Sequence, residues 1–338
     1  MFNDEMKDIK LFVVCHIYAL IWGFTHIILF LGLTLCWYHR WDWLAVYAVS
    51  ISALARVEFP KNRAVAEFFI PSLMQLCGGV KFIGNRSTSS RPRLYAVHPH
   101  AILANGFGFA IRDCVARGER VSVAATSWIC WLNPLFRWFV NSVGCKLISV
   151  TKHDLDESMR RGENIAILPG GFEEVMLMEK ERDVMFIRKR QGFVAFARKY
   201  QYEIVPVVLF GESQLYENAL KLPRCIRGIS ARLRIPLVFP TGKSSWNLLP
   251  NIPRAGLLIV FGRGIPAELD RDVSDIREEY IQAVVSLYEK HNPYASYRLS
   301  ILSWNLKVRI VGVTKRVMCL IAIIWQFLWS NTFSSSDQ

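Results

Sequence analysis

Residues 11–36 read LFVVCHIYALIWGFTHIILFLGLTLC, an apolar run with only His16 and His26 as titratable interruptions. At about 1.5 Å per residue a helix over this run is roughly 39 Å long, enough to cross a hydrocarbon core with tilt. The aromatic, polar break Trp37-Tyr38-His39-Arg40-Trp41-Asp42-Trp43 comes next, and then a shorter apolar run, Leu44–Ala55. Trp and Tyr at such a break suit a membrane interface. Two membrane arrangements fit, a pair of spans or a re-entrant hairpin, and the non-membrane alternative is a buried helical hairpin. Asp4, Glu5 and Asp8 and the length of the run argue against a cleaved signal peptide. Arg56, Lys61 and Arg63 place the chain beyond the second run on the cytoplasmic side. Residues 1–57 are therefore expected to form an N-terminal membrane hairpin.

A second apolar run, Val317–Trp329, is too short to span comfortably and is preceded by Lys307, Arg309, Lys315 and Arg316. This pattern predicts a C-terminal membrane-associated helix within residues 293–338. Over the 338 residues, 41 basic and 28 acidic side chains give a net charge of +13, and 52% of residues are hydrophobic. No zinc-finger spacing or RNA-binding signature accompanies the charge, which sets nucleic acid last among partners. Membrane apposition and a phosphate-bearing substrate account for charge and hydrophobicity together. The eight cysteines include no CxxC pair, as expected of reduced thiols facing the cytosol. On that side the sequon Asn85-Arg86-Ser87 never meets the glycosylation machinery.

Between 58 and 292 the pattern changes. Short apolar runs at 94–97, 121–126, 146–150, 165–168, 204–210 and 256–261 alternate with helical patterns near 101–117, 131–143, 152–161, 186–200, 213–220 and 273–290. That alternation predicts an α/β domain with a largely parallel sheet flanked by helices. The proline-rich stretch 222–257 reads as a long connection.

Three motifs fall at or beyond predicted strand ends, where α/β folds place their sites. The first is His98-Pro99-His100-Ala101, where proline fixes the backbone between two imidazoles suited to general-base work. Packing or capping histidines are the bland alternative, and no third ligand at recognisable spacing makes a metal site. The second is Pro169-Gly170-Gly171-Phe172-Glu173-Glu174. Its glycines suit backbone donors aimed at an oxyanion, and its carboxylates suit orienting an imidazole. An ordinary turn and helix start remain open. The third is Arg188-Lys189-Arg190-Gln191-Gly192-Phe193, three cations beside a glycine, suited to phosphate or to a basic turn facing the bilayer. Other motifs fail. Thr241-Gly242-Lys243-Ser244 lacks the first P-loop glycine, which would fall at Leu237; there is no G-x-S-x-G elbow; Gly262-Arg263-Gly264 lacks a third glycine.

In this order the motifs resemble those of the type-2 diacylglycerol acyltransferase family, which also holds monoacylglycerol and wax-alcohol acyltransferases. The family's His-Pro-His-Gly is similar to His98–Ala101, its Gly-Gly-x-x-Glu to Gly170–Glu174, and its Arg-x-Arg-x-Gly-Phe to Arg188–Phe193. Val205-Pro206 through Phe210-Gly211-Glu212 resembles a further family strand. The resemblance covers roughly residues 55–292. It implies a glycerolipid-acyltransferase-like fold and an acyl-CoA-dependent O-acyltransferase of the endoplasmic reticulum membrane and lipid-droplet surface, its catalytic domain facing the cytosol. Acyl-CoA would be a co-substrate, with no cofactor; the partners would be a lipid acceptor such as diacylglycerol and the membrane, with a homo-oligomer left open. Ala101 departs from the pattern, standing where the family has glycine, and the 317–329 run has no counterpart in it.

The expected chemistry is direct transfer. His100 takes the proton of an acceptor hydroxyl, with His98 in support; Glu174 orients the His100 ring and stabilises its charge. Gly170 and Gly171 supply oxyanion donors, and Arg188, Arg190 and Gly192 receive the phosphates of CoA. Pro169 and the basic segment favour a lysophospholipid or glycerol-phosphate acyltransferase as the alternative enzyme. An inactive lipid-binding or tethering protein is the alternative outside enzymes.

Overall fold

The computed structural model describes residues 2–57, 62–84, 90–178, 182–233, 238–243, 248–294 and 298–301. The sequon at 85–87 and the run 317–329, with the cations before it, lie outside the described residues. In chain order, helices α1 (Phe2–Trp37), α2 (Trp41–Arg56) and α3 (Arg63–Leu76) precede strand β1 (Val80–Gly84). Next come β2 (Arg93–His98), α4 (Asn105–Ala116), β3 (Val121–Ala125), α5 (Ser127–Leu132), α6 (Pro134–Val143), β4 (Lys146–Ser149), α7 (Lys152–Arg160) and β5 (Asn164–Ile167). The second half runs α8 (Gly171–Leu177), β6 (Arg182–Met185), α9 (Gly192–Lys199), β7 (Glu203–Phe210), α10 (Glu212–Leu215), β8 (Glu217–Asn218) and α11 (Arg224–Leu233). It ends with β9 (Pro240–Thr241), β10 (Leu257–Phe261), β11 (Ile265–Pro266), α12 (Val273–His291) and β12 (Arg298–Ile301).

Five strands lie parallel in the spatial order β4-β3-β5-β2-β7. Beyond β7, β10 joins antiparallel and β1 pairs with β10 in parallel. The largely parallel, helix-flanked sheet agrees with the alternation read from the sequence. Strand β2 lies between β5 and β7 and is buried along its whole length. Tyr95 and Val97 join one core cluster with Tyr18, Phe69, Phe107 and Phe139 from α1, α3, α4 and α6. Leu94 and Ala96 join the other, with Met159, Val194 and Tyr280 from α7, α9 and α12. With both faces covered, β2 reads as a continuous apolar run rather than an alternating one.

Several expectations change. The pattern at 131–143 is two helices broken at Asn133, whose Oδ1 accepts from Phe136 N at 2.9 Å and whose Nδ2 donates to Ile21 O at 2.7 Å. Pro134 at the first helical position makes the restart favourable. The stretch 222–257, read as a connection, contains α11. The helix read at 213–220 is only the short α10, and then the chain turns extended at β8. Strands β1 and β6 fall outside the apolar runs that signal strands in the sequence.

The N-terminal hairpin forms, but the described residues revise its character: among them no helix is long and apolar enough to cross a membrane. Instead α1 lies against the α/β domain, within one compact unit that ends at Leu302. Val14, Tyr18, Ile21 and Ile28, at near-helical spacing, are buried. Tyr18 meets Phe139 edge-on at 5.9 Å and Trp22 packs on Phe136 at 4.7 Å. Tyr47 of α2 donates to Ile28 O at 2.5 Å, tying the two arms together. A neighbouring stripe of α1, with Val13, Ile17, Leu20, Ile27 and Leu31, is exposed, as are Trp37, Trp41 and Trp43 around the break.

Candidate active site

Strand β2 ends at His98, and the chain turns through residues 99–104 into α4. Ala101 and Ala104 both take left-handed backbone angles, each with φ +48°. That conformation costs an L-residue roughly 1–2 kcal/mol, which is why glycine suits the position of Ala101. Such geometry persists when its surroundings hold it. Here two buried glutamates do so, one from each strand beside β2.

Glu174 arrives from the β5 side on α8 and is 1% exposed. Its Oε1 accepts from His98 Nδ1 and from Phe186 N, both at 2.8 Å, and its Oε2 accepts from His100 N at 2.8 Å. A Cβ on Gly170 would sit 1.8 Å from the Glu174 carboxylate carbon, so only glycine leaves room for it. Gly171 carries φ +57°, a second glycine requirement. The double glycine therefore seats Glu174. The Gly171 N–H, expected to face an oxyanion, donates here to Leu168 O at 3.0 Å.

Glu174 also grips differently from expectation. Its side chain meets the imidazole of His98, whereas it holds His100 by the backbone. The reason is pleat geometry. His98 falls on the same face of β2 as Leu94 and Ala96, toward α9 and α12, and its ring lies 6.2 Å from that of Tyr280. The His100 ring is half-buried, and its Nδ1 hydrogen-bonds to Ala101 O at 2.8 Å. A carbonyl only accepts, so Nδ1 carries the proton and Nε2 presents a lone pair. Burial lowers the His100 pKa, with the Ala101 carbonyl and the charge of Glu174 acting the other way. The ring is thus neutral at pH 7, while the nearby carboxylate favours the imidazolium once a proton arrives. His98, likewise protonated on Nδ1 against the carboxylate, has a buried Nε2 without a hydrogen-bond partner among the described residues.

The basic segment divides. Arg190 is paired with Glu173 at 2.5 Å and lies over the Phe186 ring, so its guanidinium is already engaged. Arg188 and Gly192 are exposed, and the space where a Gly192 Cβ would stand has no atom of the described residues within 4 Å. Phe193 meets Tyr280 edge-on at 5.3 Å, and Tyr280 also lies beside the His98 ring, so this motif reaches the histidines through Tyr280.

A residue quoted only as part of a family strand proves central to the architecture. Glu212, at the start of α10 after Gly211, is 2% exposed and accepts from Asn105 N and Gly106 N at 2.7 Å each. These are the first N–H groups of α4, where a helix favours negative charge. A recognisable signal preceded it in the sequence: a glycine and a glutamate directly after a strand, as in Gly170–Glu174.

Fold and site together define an α/β protein with a histidine–glutamate centre at the carboxyl ends of parallel strands. The family model described as diacylglycerol acyltransferase matches residues 25–300. The chain belongs to that family, in agreement with the resemblance carried by the motifs. It is 28% identical over 220 residues to human 2-acylglycerol O-acyltransferase 1, covering 59% of this chain and 64% of that protein. It is 26% identical over 244 residues to diacylglycerol O-acyltransferase 2A of Umbelopsis ramanniana, covering 64% and 66%. To mouse acyl-CoA wax alcohol acyltransferase 2 it is 25% identical over 227 residues, covering 60% and 66%. The matched part thus spans a little under two thirds of each relative's length. The solved 1-acyl-sn-glycerophosphate acyltransferase of Thermotoga maritima aligns with a TM-score of 0.44 at 9% identity, over 86% of this chain and 99% of that one.

Proposed function

We propose that this chain is an acyl-CoA-dependent O-acyltransferase of neutral-lipid synthesis that moves a fatty acyl group to a lipid hydroxyl, with diacylglycerol as acceptor and triacylglycerol as product. One observation carries the reading: Glu174 fixes the His98 ring and the His100 backbone at 2.8 Å each, while burial keeps the His100 ring neutral with an Nε2 lone pair that takes no partner among the described residues. In this mechanism His100 Nε2 takes the proton of the acceptor hydroxyl as its oxygen attacks the thioester carbonyl. The tetrahedral intermediate expels the CoA thiolate, which recovers the proton from the imidazolium. The Glu174 charge lowers the cost of that imidazolium through space. Exposed Arg188, with the open space at Gly192, is assigned to the phosphates of CoA.

The exposed apolar stripe of α1 and the tryptophans at its break support apposition to a lipid surface. The endoplasmic reticulum membrane and the lipid droplet are the assigned locations, with the catalytic domain facing the cytosol. Membranes carrying the full chain, given labelled acyl-CoA and a panel of diacylglycerol, monoacylglycerol, fatty alcohol and lysophosphatidic acid, are expected to form triacylglycerol first. Labelled phosphatidic acid as the main product would overturn the acceptor assignment.

A second assignment of the base has one observation in its favour, the unpartnered Nε2 of buried His98. The variants His100→Gln and His98→Gln separate the two. His100 as base predicts a loss of about 10²-fold or more in kcat for H100Q. Near-normal turnover in H100Q beside a dead H98Q would move the base to His98.

A further inference from the structure

We propose that Glu212 is a positioning residue for this reaction, its carboxylate holding the far end of the histidine turn so that His100 is presented in one orientation. The inference rests on His100 acting as the base. Between His100 N, held by Glu174, and Asn105 N, held by Glu212, lie five steps of chain containing both left-handed alanines. Freeing either end lets the turn relax toward ordinary backbone angles and carries the His100 ring with it.

The fold is built around this grip. Gly211, at φ +87°, lets β7 end in the turn that aims Glu212 back at α4, and a Cβ there would come 2.7 Å from Gly256 O. A Cβ on Gly106 would meet Glu212 Oε2 at 2.9 Å. Ser213 donates to buried Asp183 at 2.7 Å, which anchors the segment from the other side. The titratable groups facing the carboxylate are Tyr18 of α1 and Cys77 after α3, and neither brings a positive charge. Burial therefore acts against the anion, is offset only in part by the Gly106 and Asn105 N–H groups, and pushes the Glu212 pKa up to about 7. Ionised, both oxygens accept. Protonated, one oxygen turns a hydrogen toward an N–H, and half of the grip is lost.

The test measures kcat and KM of the full chain in membranes from pH 6 to 8, with acyl-CoA and diacylglycerol. For the wild type a fall in kcat with midpoint near pH 7 is expected, above the limb due to His100, whose ordinary imidazole value of about 6.5 is lowered here. The Glu212→Gln variant should lose about tenfold in kcat at pH 8, keep its KM for acyl-CoA within about threefold, and lose the limb near pH 7. Adding Ala104→Gly, which removes the backbone strain beside Asn105, should return a few-fold of that loss while changing the wild type less. A Glu212→Gln protein with wild-type kcat and an unchanged pH profile, beside a dead H100Q, overturns this inference alone. Undiminished transfer by H100Q overturns it together with the reading beneath it. Should Glu212→Gln fail to fold, Gly106→Ala, whose methyl would press on Glu212 Oε2 at 2.9 Å, takes its place, and wild-type kcat in that variant overturns the inference equally.

Discussion

Glu174 and Glu212 come after the two strands that flank β2, and their carboxylates hold opposite ends of one turn under different electrostatic conditions. Glu174 draws its donors from three separate segments: the end of β2, the turn itself and Phe186 after β6. Glu212 draws both from consecutive residues at the start of α4. The first is a hub that joins motifs distant in sequence. The second is a local cap whose charge is marginal near neutral pH. Each comes with a glycine whose missing Cβ makes its space: Gly170 for Glu174 and Gly106 for Glu212. The contrast teaches that one residue type in one chain context takes different roles according to how many independent elements it bonds.

Of the two sites the Glu174 hub is the more sensitive, and Gly170 is its weakest point. A methyl group there overlaps the Glu174 carboxylate, so Gly170→Ala should lower activity by about 10²-fold or more and destabilise the fold by about 3 kcal/mol, read by turnover and by denaturant midpoint. The next effect is a pH dependence of stability from Glu212. Its folded pKa of about 7 lies above the unfolded value of 4.5. The stabilisation from its bound proton is therefore complete below about pH 4.5 and is lost as pH rises through 7, a difference on the order of 3 kcal/mol. Glu212→Gln should flatten that dependence and melt no lower than wild type at pH 8, while turning over more slowly. A lower melting temperature at pH 8 would mean that the anion stabilises the fold after all. Gly106→Ala, with a milder contact at 2.9 Å, should cost about 1–2 kcal/mol and a smaller share of kcat than Gly170→Ala. Ala101→Gly should change stability by no more than about 1 kcal/mol, because relief of the left-handed angle is opposed by the entropy glycine gains on unfolding. A loss of several kcal/mol there would show that the Ala101 methyl packs as part of the site.

Much of the sheet was legible because its strands are buried on both faces and read as unbroken apolar runs. Strand β6 was not, since Arg182 and Asp183 break its apolar character; Asp183 is buried only because Ser213 and Tyr288 donate to it from afar. α11 was hidden among prolines that flank it without entering it. In the N-terminal segment the apolar character was plain. Which stripe of α1 meets protein was not, because that depends on Phe136 and Phe139 more than a hundred residues on.

The sequence alone supplied the motifs: two histidines after a buried strand, a glycine pair set before a glutamate, a basic turn, and apolar runs at both ends. Those arise from local backbone preference and hydrophobic pattern, which are written in neighbouring residues. Only the tertiary structure decided that Glu174 takes the His98 ring and merely the backbone of His100, that Arg190 is engaged by Glu173, and that Glu212 completes the turn. Such pairings depend on strand order and on the side of the sheet each residue faces, and the placing of β5 and β7 on either side of β2 is a property of the assembled sheet.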